Sequence, residues 1–122
     1  MNELFPIYLK LNQLNTLLVG GSTVGLEKLT ALMSNSPEAK VTVVAREVSE
    51  ETLEFIAKHS TIHLFQREFT ESDLEEKDLV ILATNNAVLN DSIRKFAGEK
   101  HILLNVADKP DLCDFYLGSV VQ

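Results

Sequence analysis

The stretch Leu14 to Gly25, LNTLLVGGSTVG, decides the fold. Its run of Leu and Val predicts a buried strand, and Gly20 and Gly21 follow that strand directly. The apolar residues after the turn recur at helical spacing, which predicts a helix from about Thr23 to about Ser34. These apolar positions are Leu26, Leu29, Leu32 and Met33. A strand, a glycine-rich turn and a helix in this order are typical of the first unit of a layered α/β protein.

Four more short apolar runs predict strands at 40–45, 61–65, 78–83 and 101–106. Amphipathic stretches between them predict helices, one capped by Ser49 and another ended by Gly98. Strands that are apolar throughout are buried on both faces, which indicates a parallel sheet between helices. Because crossovers between parallel strands are right-handed, we predict a doubly wound, Rossmann-like α/β fold with strand order 3-2-1-4-5.

Length and charge exclude several classes of protein. The 122 residues suit one core, and a net charge of −7 with no basic stripe argues against a nucleic-acid partner. Cys113 is the only cysteine, and no Cys/His group has zinc spacing, so we expect neither an internal disulfide nor a metal site. No apolar run approaches the roughly 20 residues of a membrane span. Since the first residues also lack the features of a signal peptide, we expect a soluble, cytoplasmic domain without a membrane partner.

The glycine turn resembles the dinucleotide fingerprint G-x-G-x-x-G, with Gly20 and Gly25 as its first and last glycines and Ser22 in place of the middle one. Gly20 permits the tight turn, and Gly25 permits close packing of helix on strand. The helix N-terminus offers N–H groups to a phosphate. We therefore predict that Gly20, Gly21 and Ser22 bind a nucleotide; the alternative is a glycine turn with no ligand.

The end of the second strand leaves the choice of dinucleotide open. Dinucleotide-binding folds usually place Asp or Glu there to bind the ribose hydroxyls. In this sequence the strand is predicted to end at Ala45, and Arg46 and Glu47 follow. Glu47 suits a ribose, whereas Arg46 suits the 2′-phosphate of NADP. Both residues can equally be solvated loop charges.

Polar residues follow the fourth and fifth predicted strands, at the edge where ligands bind in open α/β sheets. Thr84 and Asn85 can line such a cleft, and Asn86 can cap the next helix. Asn90 is a candidate ligand residue on that helix. Asp108 is either a general acid or base at the cleft or an ordinary turn aspartate.

Five segments in this order resemble one family: FPIYLKL (5–11), VGGSTVG with its helix LEKLTALM (19–33), KVTVVA (40–45), LVILATNNAVLN (79–90) and LLNVADKPDLCDF (103–115). They resemble the N-terminal domain of precorrin-2 dehydrogenase, which also forms the first part of siroheme synthase. The resemblance covers nearly the whole chain, and its last run is the most specific. It implies an enzyme of siroheme biosynthesis that oxidises precorrin-2 to sirohydrochlorin with NAD, with iron insertion in some members.

The resemblance also implies roles for particular residues. Contacts with the dinucleotide are implied for Thr23, Val24, Arg46, Glu47, Thr84, Asn85 and Asn90. The match at the positions after the second strand favours NAD over NADP. Asn85 stands where the family has an acid, and Ser22 stands where the family has a third consecutive glycine. Asp108 matches the family's essential aspartate, which is proposed to move protons.

Family members continue through a β-rich dimerisation region, and Phe115 to Gln122 (FYLGSVVQ) predicts another strand. We therefore expect an NAD-binding domain over 1–114, the first strand of a truncated dimerisation region over 115–122, and a homodimer in the full-length form. Precorrin-2 carries many carboxylates, so basic residues such as Arg94, Lys95 and Lys109, or the remaining region, must offset the acidic charge. Two other functions remain open: an NAD-binding regulatory module without catalysis, and a structural domain that completes a partner's sheet.

Overall fold

The computed structural model describes residues 3–118. One parallel sheet of five strands runs through the domain in the order β3-β2-β1-β4-β5, as predicted. Its strands are β1 (Asn15–Gly21), β2 (Lys40–Val48), β3 (Ile62–Phe65), β4 (Leu79–Leu82) and β5 (Leu103–Val106). The strand order reverses between β1 and β4, so a ligand cleft is expected at their carboxyl ends.

Three helices cover the two faces of the sheet: α1 (Thr23–Asn35), α2 (Glu50–Ala57) and α3 (Ala87–Glu99). Leu17 faces the core under α3, and its neighbour Leu18 faces the core under α1 and α2. Short 3-10 turns occupy Leu11–Gln13, Glu71–Leu74 and Pro110–Leu112. The predicted doubly wound, Rossmann-like fold is confirmed. Within residues 3–118, no helix combines the length and the apolar character needed to cross a membrane.

One of the two predicted helix ends is confirmed. Ser49 caps α2 by accepting a hydrogen bond from the Thr52 N–H at 3.2 Å. The prediction that Gly98 ends α3 is wrong, because Gly98 lies inside the helix. The chain leaves α3 at His101, whose φ of 58° is left-handed, and the Ile102 N–H then donates to the Ala97 carbonyl at 2.9 Å. This is the hydrogen bonding of a Schellman cap, with histidine at the position that glycine usually takes.

The predicted end of the second strand at Ala45 is also wrong. Val19 is the partner of Val44, but Gly21 is the partner of Val48, so the single residue Gly20 faces three residues of β2. A hydrogen bond of 3.0 Å from the Ser49 N–H to the Gly21 carbonyl closes this bulge. Arg46 and Glu47 are therefore exposed within the bulge of β2 and do not lie in a free loop after the strand.

The strand predicted over 115–122 is not present in its described part, residues 115–118, and residues 119–122 lie outside the described range. Side chains occupy the open edge of β5 instead. The Asp114 carboxylate accepts from the Leu104 N–H at 3.0 Å, and the Cys113 Sγ accepts from the Val106 N–H at 3.1 Å. The Asn105 amide also donates to the Phe115 carbonyl at 3.0 Å. These bonds satisfy an edge that would otherwise attract another strand.

Candidate functional site

A cleft of about 530 Å³ lies beyond the carboxyl ends of the strands. The structure brings together most of the predicted site residues around it: Gly20, Gly21, Ser22, Val24, Arg46, Glu47, Thr84, Asn85 and Asp108. Thr23 and Asn90 do not line it. The cleft spans the point where strand order reverses, which is the expected ligand site of an open α/β sheet.

The floor of the cleft is formed by close backbone contacts at the glycine turn. Gly20 has a φ of 125°, and a Cβ atom built on it would collide with the Ala83 carbonyl oxygen. A Cβ atom on Gly25 would lie 2.5 Å from the Gly20 carbonyl oxygen. The two outer glycines thus hold β1, β4 and α1 against one another, and they aim the N-terminus of α1 into the cleft.

The N-terminus of α1 differs from those of the other two helices. Ser49 and Asn86 each accept a hydrogen bond from the first turn of α2 and α3, at 3.2 and 3.0 Å. Ser22, at the same position before α1, makes no such side-chain bond. The first N–H groups of a helix have no partner within the helix, and they attract an anion. This end of α1 therefore fits the pyrophosphate of a dinucleotide.

Asn90 and Thr23 lie just outside the cleft. The Asn90 side chain is 5% exposed and donates to the Thr84 carbonyl at 2.9 Å, so it supports the cleft wall from behind. The Thr84 hydroxyl in turn accepts from the Asn86 N–H at 2.9 Å. Direct contact of Asn90 with a cofactor stays a prediction, and its Oδ1 has no hydrogen-bond partner among residues 3–118. Thr23 is exposed in the first turn of α1.

Sequence reasoning missed the loop after β3, which places Arg67, Glu68 and Phe69 on the cleft wall. The signal was available, since parallel strands end at one edge and Arg67 follows β3 as closely as Thr84 follows β4. Arg46, on the β2 bulge, reaches across to this loop, and its Nη1 lies 3.2 Å from the Glu68 Oε1.

Arg67 forms a bidentate ion pair with Asp73: its Nη1 donates to Oδ2 at 2.9 Å, and its Nη2 donates to Oδ1 at 2.7 Å. Asp73 is only 9% exposed and also accepts from the Thr70 N–H at 2.8 Å. Burial by itself would raise the pKa of Asp73. The hydrogen bonds from Arg67 and Thr70 outweigh it, and the pKa lies below its ordinary value. The Arg67 guanidinium also lies 5.3 Å from the centre of the Phe65 ring.

Asp108 occupies a tight turn after β5, closed by a 3.2 Å bond from the Lys109 N–H to the Val106 carbonyl. Its φ of 62° is left-handed, which aspartate tolerates at a cost of about 1 kcal/mol. The side chain is exposed at the cleft. Throughout residues 3–118, no protein group forms a hydrogen bond or ion pair with its carboxylate, so the carboxylate is available to a ligand.

His59 and Cys113 have structural roles. The His59 ring stacks on Phe55 with centroids 4.3 Å apart, and its Nδ1 lies 2.8 Å from the Phe55 carbonyl. The Cys113 thiol is hydrogen-bonded to the Val106 backbone in β5. In the described range, no group of three or more His, Cys, Asp or Glu side chains is placed to hold a metal ion.

Comparison with known proteins agrees with this geometry. A family model with the description "Putative NAD(P)-binding" matches residues 7–119. The chain belongs to this family. This description supports a nicotinamide dinucleotide as the class of cofactor.

Three relatives extend the comparison. Siroheme synthase of Vesicomyosocius okutanii is 34% identical over 122 residues, or 100% of this chain and 25% of that protein. Siroheme synthase of Pseudoalteromonas atlantica is 36% identical over 120 residues, or 98% of this chain and 25% of that protein. The solved structure of SirC, a precorrin-2 dehydrogenase, has a TM-score of 0.72 at 27% identity and covers 97% of this chain and 54% of that one. The resemblance drawn from the sequence is confirmed. The chain spans about a quarter of the curated relatives that it matches.

Proposed function

We propose that this domain binds NAD in its cleft and supplies the dehydrogenase step that converts precorrin-2 to sirohydrochlorin in siroheme biosynthesis. One observation carries the proposal: the uncapped N-terminus of α1 and the unpaired carboxylate of Asp108 border the same cleft. The helix N-terminus suits a dinucleotide phosphate, and the carboxylate suits proton transfer. The matches to siroheme synthases and to a precorrin-2 dehydrogenase along nearly the whole chain support this reading.

The chain's residues divide the cleft into two halves. Gly20, Gly21, Ser22 and Val24 hold the pyrophosphate between these halves, at the N-terminus of α1. Arg46 and Glu47, near the end of β2, lie on the adenosine side. Thr84 and Asn85, at the end of β4, lie on the nicotinamide side with Asp108. When bound, NAD supplies an acceptor for a hydride.

Asp108 is the proposed catalytic residue. Converting precorrin-2 to sirohydrochlorin removes two electrons and two protons, as one hydride and one proton, and the products are sirohydrochlorin, NADH and H⁺. The hydride leaves with the cofactor, so the remaining proton needs an acceptor from the protein. The Asp108 carboxylate has no partner in the part of the chain that the structure describes, and it borders the nicotinamide half. Asp108 therefore accepts or relays this proton as a general base.

The charges around the adenosine half support NAD over NADP. Arg46 is paired with Glu68, and Arg67 is paired with Asp73. Glu47 adds a further carboxylate to the wall. A 2′-phosphate would need a cation that is not already compensated, whereas the ribose hydroxyls of NAD can donate to a carboxylate.

The acidic substrate must be recognised largely outside this cleft. Arg94 and Lys95 line a separate depression beside α3, which leaves Lys109 as the basic residue next to Asp108. We propose that the protein acts in the cytoplasm as a homodimer, and that basic residues outside this cleft supply further cations for the carboxylates of precorrin-2.

The test is Asp108→Asn in the protein that carries this domain, because asparagine keeps the shape and tolerates the left-handed turn. We expect NADH formation from precorrin-2 to fall about 100-fold or more. NAD affinity, measured by calorimetry, should stay within about two-fold, since the pyrophosphate site is untouched. Asp111→Asn, in the next turn, is the matched control and should keep full turnover.

Undiminished turnover in Asp108→Asn would remove Asp108 from the mechanism. NAD binding without any turnover by the unaltered protein would instead favour a regulatory module. Failure of the unaltered protein to bind NAD would contradict the proposed function altogether.

A further inference from the structure

We infer that Glu68 sets the preference for NAD over NADP, because it holds the one arginine in the cleft that is able to turn to a 2′-phosphate. The inference rests on the proposed binding of NAD and adds a residue that determines cofactor specificity. Glu68 follows β3, outside the dinucleotide motif and outside the usual acidic position at the end of the second strand.

Arg46 and Glu68 meet across the adenosine half of the cleft. The bulge opposite Gly20 carries Arg46 out of the line of β2, and the loop after β3 carries Glu68 toward it. Their charged atoms are 3.2 Å apart, and the two side chains are 71% and 74% exposed. Both residues line the cleft, so their ion pair lies where a ligand on this side would encounter it.

Arg67 cannot take the place of Arg46. Both of its terminal nitrogens are bonded to Asp73, which is buried and further fixed by the Thr70 N–H. Its guanidinium also lies over the Phe65 ring. Turning Arg67 toward a ligand would leave a buried carboxylate without its partner, which is strongly unfavourable.

The pair of Arg46 and Glu68 has no such structural task. Exposed ion pairs contribute little to folding, so breaking this one changes the charge of the cleft rather than the stability of the domain. While Glu68 is present, a 2′-phosphate meets a compensated arginine and a repelling carboxylate. Without that carboxylate, Arg46 is free to bind the phosphate through two parallel hydrogen bonds.

The experiment compares NAD⁺ and NADP⁺ affinities by calorimetry in the unaltered protein and in Glu68→Gln. We expect NADP⁺ to bind about five-fold more tightly to the variant, while NAD⁺ affinity stays within about two-fold. Adding Arg46→Gln to Glu68→Gln should abolish the gain. Glu71→Gln is the matched control, because Glu71 faces Lys100 at 4.0 Å and does not line the cleft.

The outcomes separate this inference from the proposed function. If the unaltered protein binds NAD⁺ and Glu68→Gln gains no NADP⁺ affinity, the inference is wrong and the proposed function stands. Equal gains for both dinucleotides, or a gain that survives the added Arg46→Gln, would also overturn it. If the unaltered protein binds neither dinucleotide, the proposed function itself fails. Thermal unfolding of each variant checks that the fold is intact.

Discussion

Two turns beside the same cleft each contain a residue with positive φ, Gly20 at 125° after β1 and Asp108 at 62° after β5. At Gly20 the reason is steric, because any Cβ atom would collide with the Ala83 carbonyl. At Asp108 the turn is exposed, and a non-glycine residue is held in a left-handed conformation that glycine would adopt without strain. The first turn thus has no room for a side chain, while the second keeps a side chain despite the strain of a left-handed φ.

This difference separates binding from chemistry in the cleft. A phosphate site needs only correctly placed backbone, so its residues are small and tightly packed. Proton transfer needs a side chain that other protein groups have not already bonded, so its residue is exposed and locally strained. Variants that exchange these properties between the two turns test the comparison directly.

The largest effect is expected for Gly20→Ala. The added methyl group must displace the Ala83 carbonyl at the end of β4, in a backbone conformation that alanine rarely adopts. We expect a loss of about 3 kcal/mol in the free energy of unfolding, measured with urea, and a matching loss of NAD binding.

Gly98→Ala is the matched control for this substitution. Nothing lies within 4 Å of a Cβ atom at Gly98, which sits inside α3. Alanine should stabilise the helix there by about 0.5–1 kcal/mol. Similar effects of the two substitutions would contradict the steric explanation of the glycine turn.

A smaller loss of stability is expected on substitution of Asp73. This residue fixes the loop after β3 through side-chain hydrogen bonds, whereas backbone packing fixes the glycine turn. Since the pKa of Asp73 is lowered in the folded protein, its contribution is complete above the ordinary pKa of 3.8 and is lost as pH falls through the lower folded value. Asp73→Asn should reduce stability by about 2 kcal/mol at neutral pH and flatten this acid-side loss. The measurement is urea unfolding between neutral pH and the onset of acid unfolding.

Asp91→Asn, at an exposed position on α3, serves as the control and should change stability by less than about 0.5 kcal/mol. If Asp73→Asn loses unfolding free energy with falling pH as steeply as the unaltered protein, other carboxylates cause most of that loss.

The fold was predictable because its signals are local. Five apolar runs and the glycine turn were enough for the strand order, since burial on both faces and right-handed crossovers leave few arrangements. The helix end at His101 was not predictable, because a histidine in a left-handed cap carries no sequence signal. The continuation of β2 to Val48 was missed for a related reason, since it depends on pairing with Gly21 across a bulge.

The candidate site was predictable where each residue lies next to a strand end. Ser22, Thr84 and Asp108 lie within two residues of their strand ends, so sheet topology alone brings them together. Asn90 was named from its place on the helix after β4 and again by resemblance, and only the structure shows that its amide donates to the Thr84 carbonyl. The pairing of Arg46 with Glu68 joins residues far apart in sequence and could not be read from either position.

The smallest changes in stability are expected when glycine replaces a residue with a left-handed φ. These variants test most directly whether the Asp108 side chain, unlike Gly20, is there for its chemistry. His101→Gly and Asp108→Gly should each stabilise the domain by about 0.5–1 kcal/mol, because both relieve a positive φ. Arg94→Gly, inside α3, should instead destabilise it by about 1 kcal/mol. The two stabilised variants should then differ in function. His101→Gly should keep NAD-dependent oxidation of precorrin-2, whereas Asp108→Gly should lose it. If both keep it, the left-handed aspartate is a turn residue and its strain has no catalytic purpose.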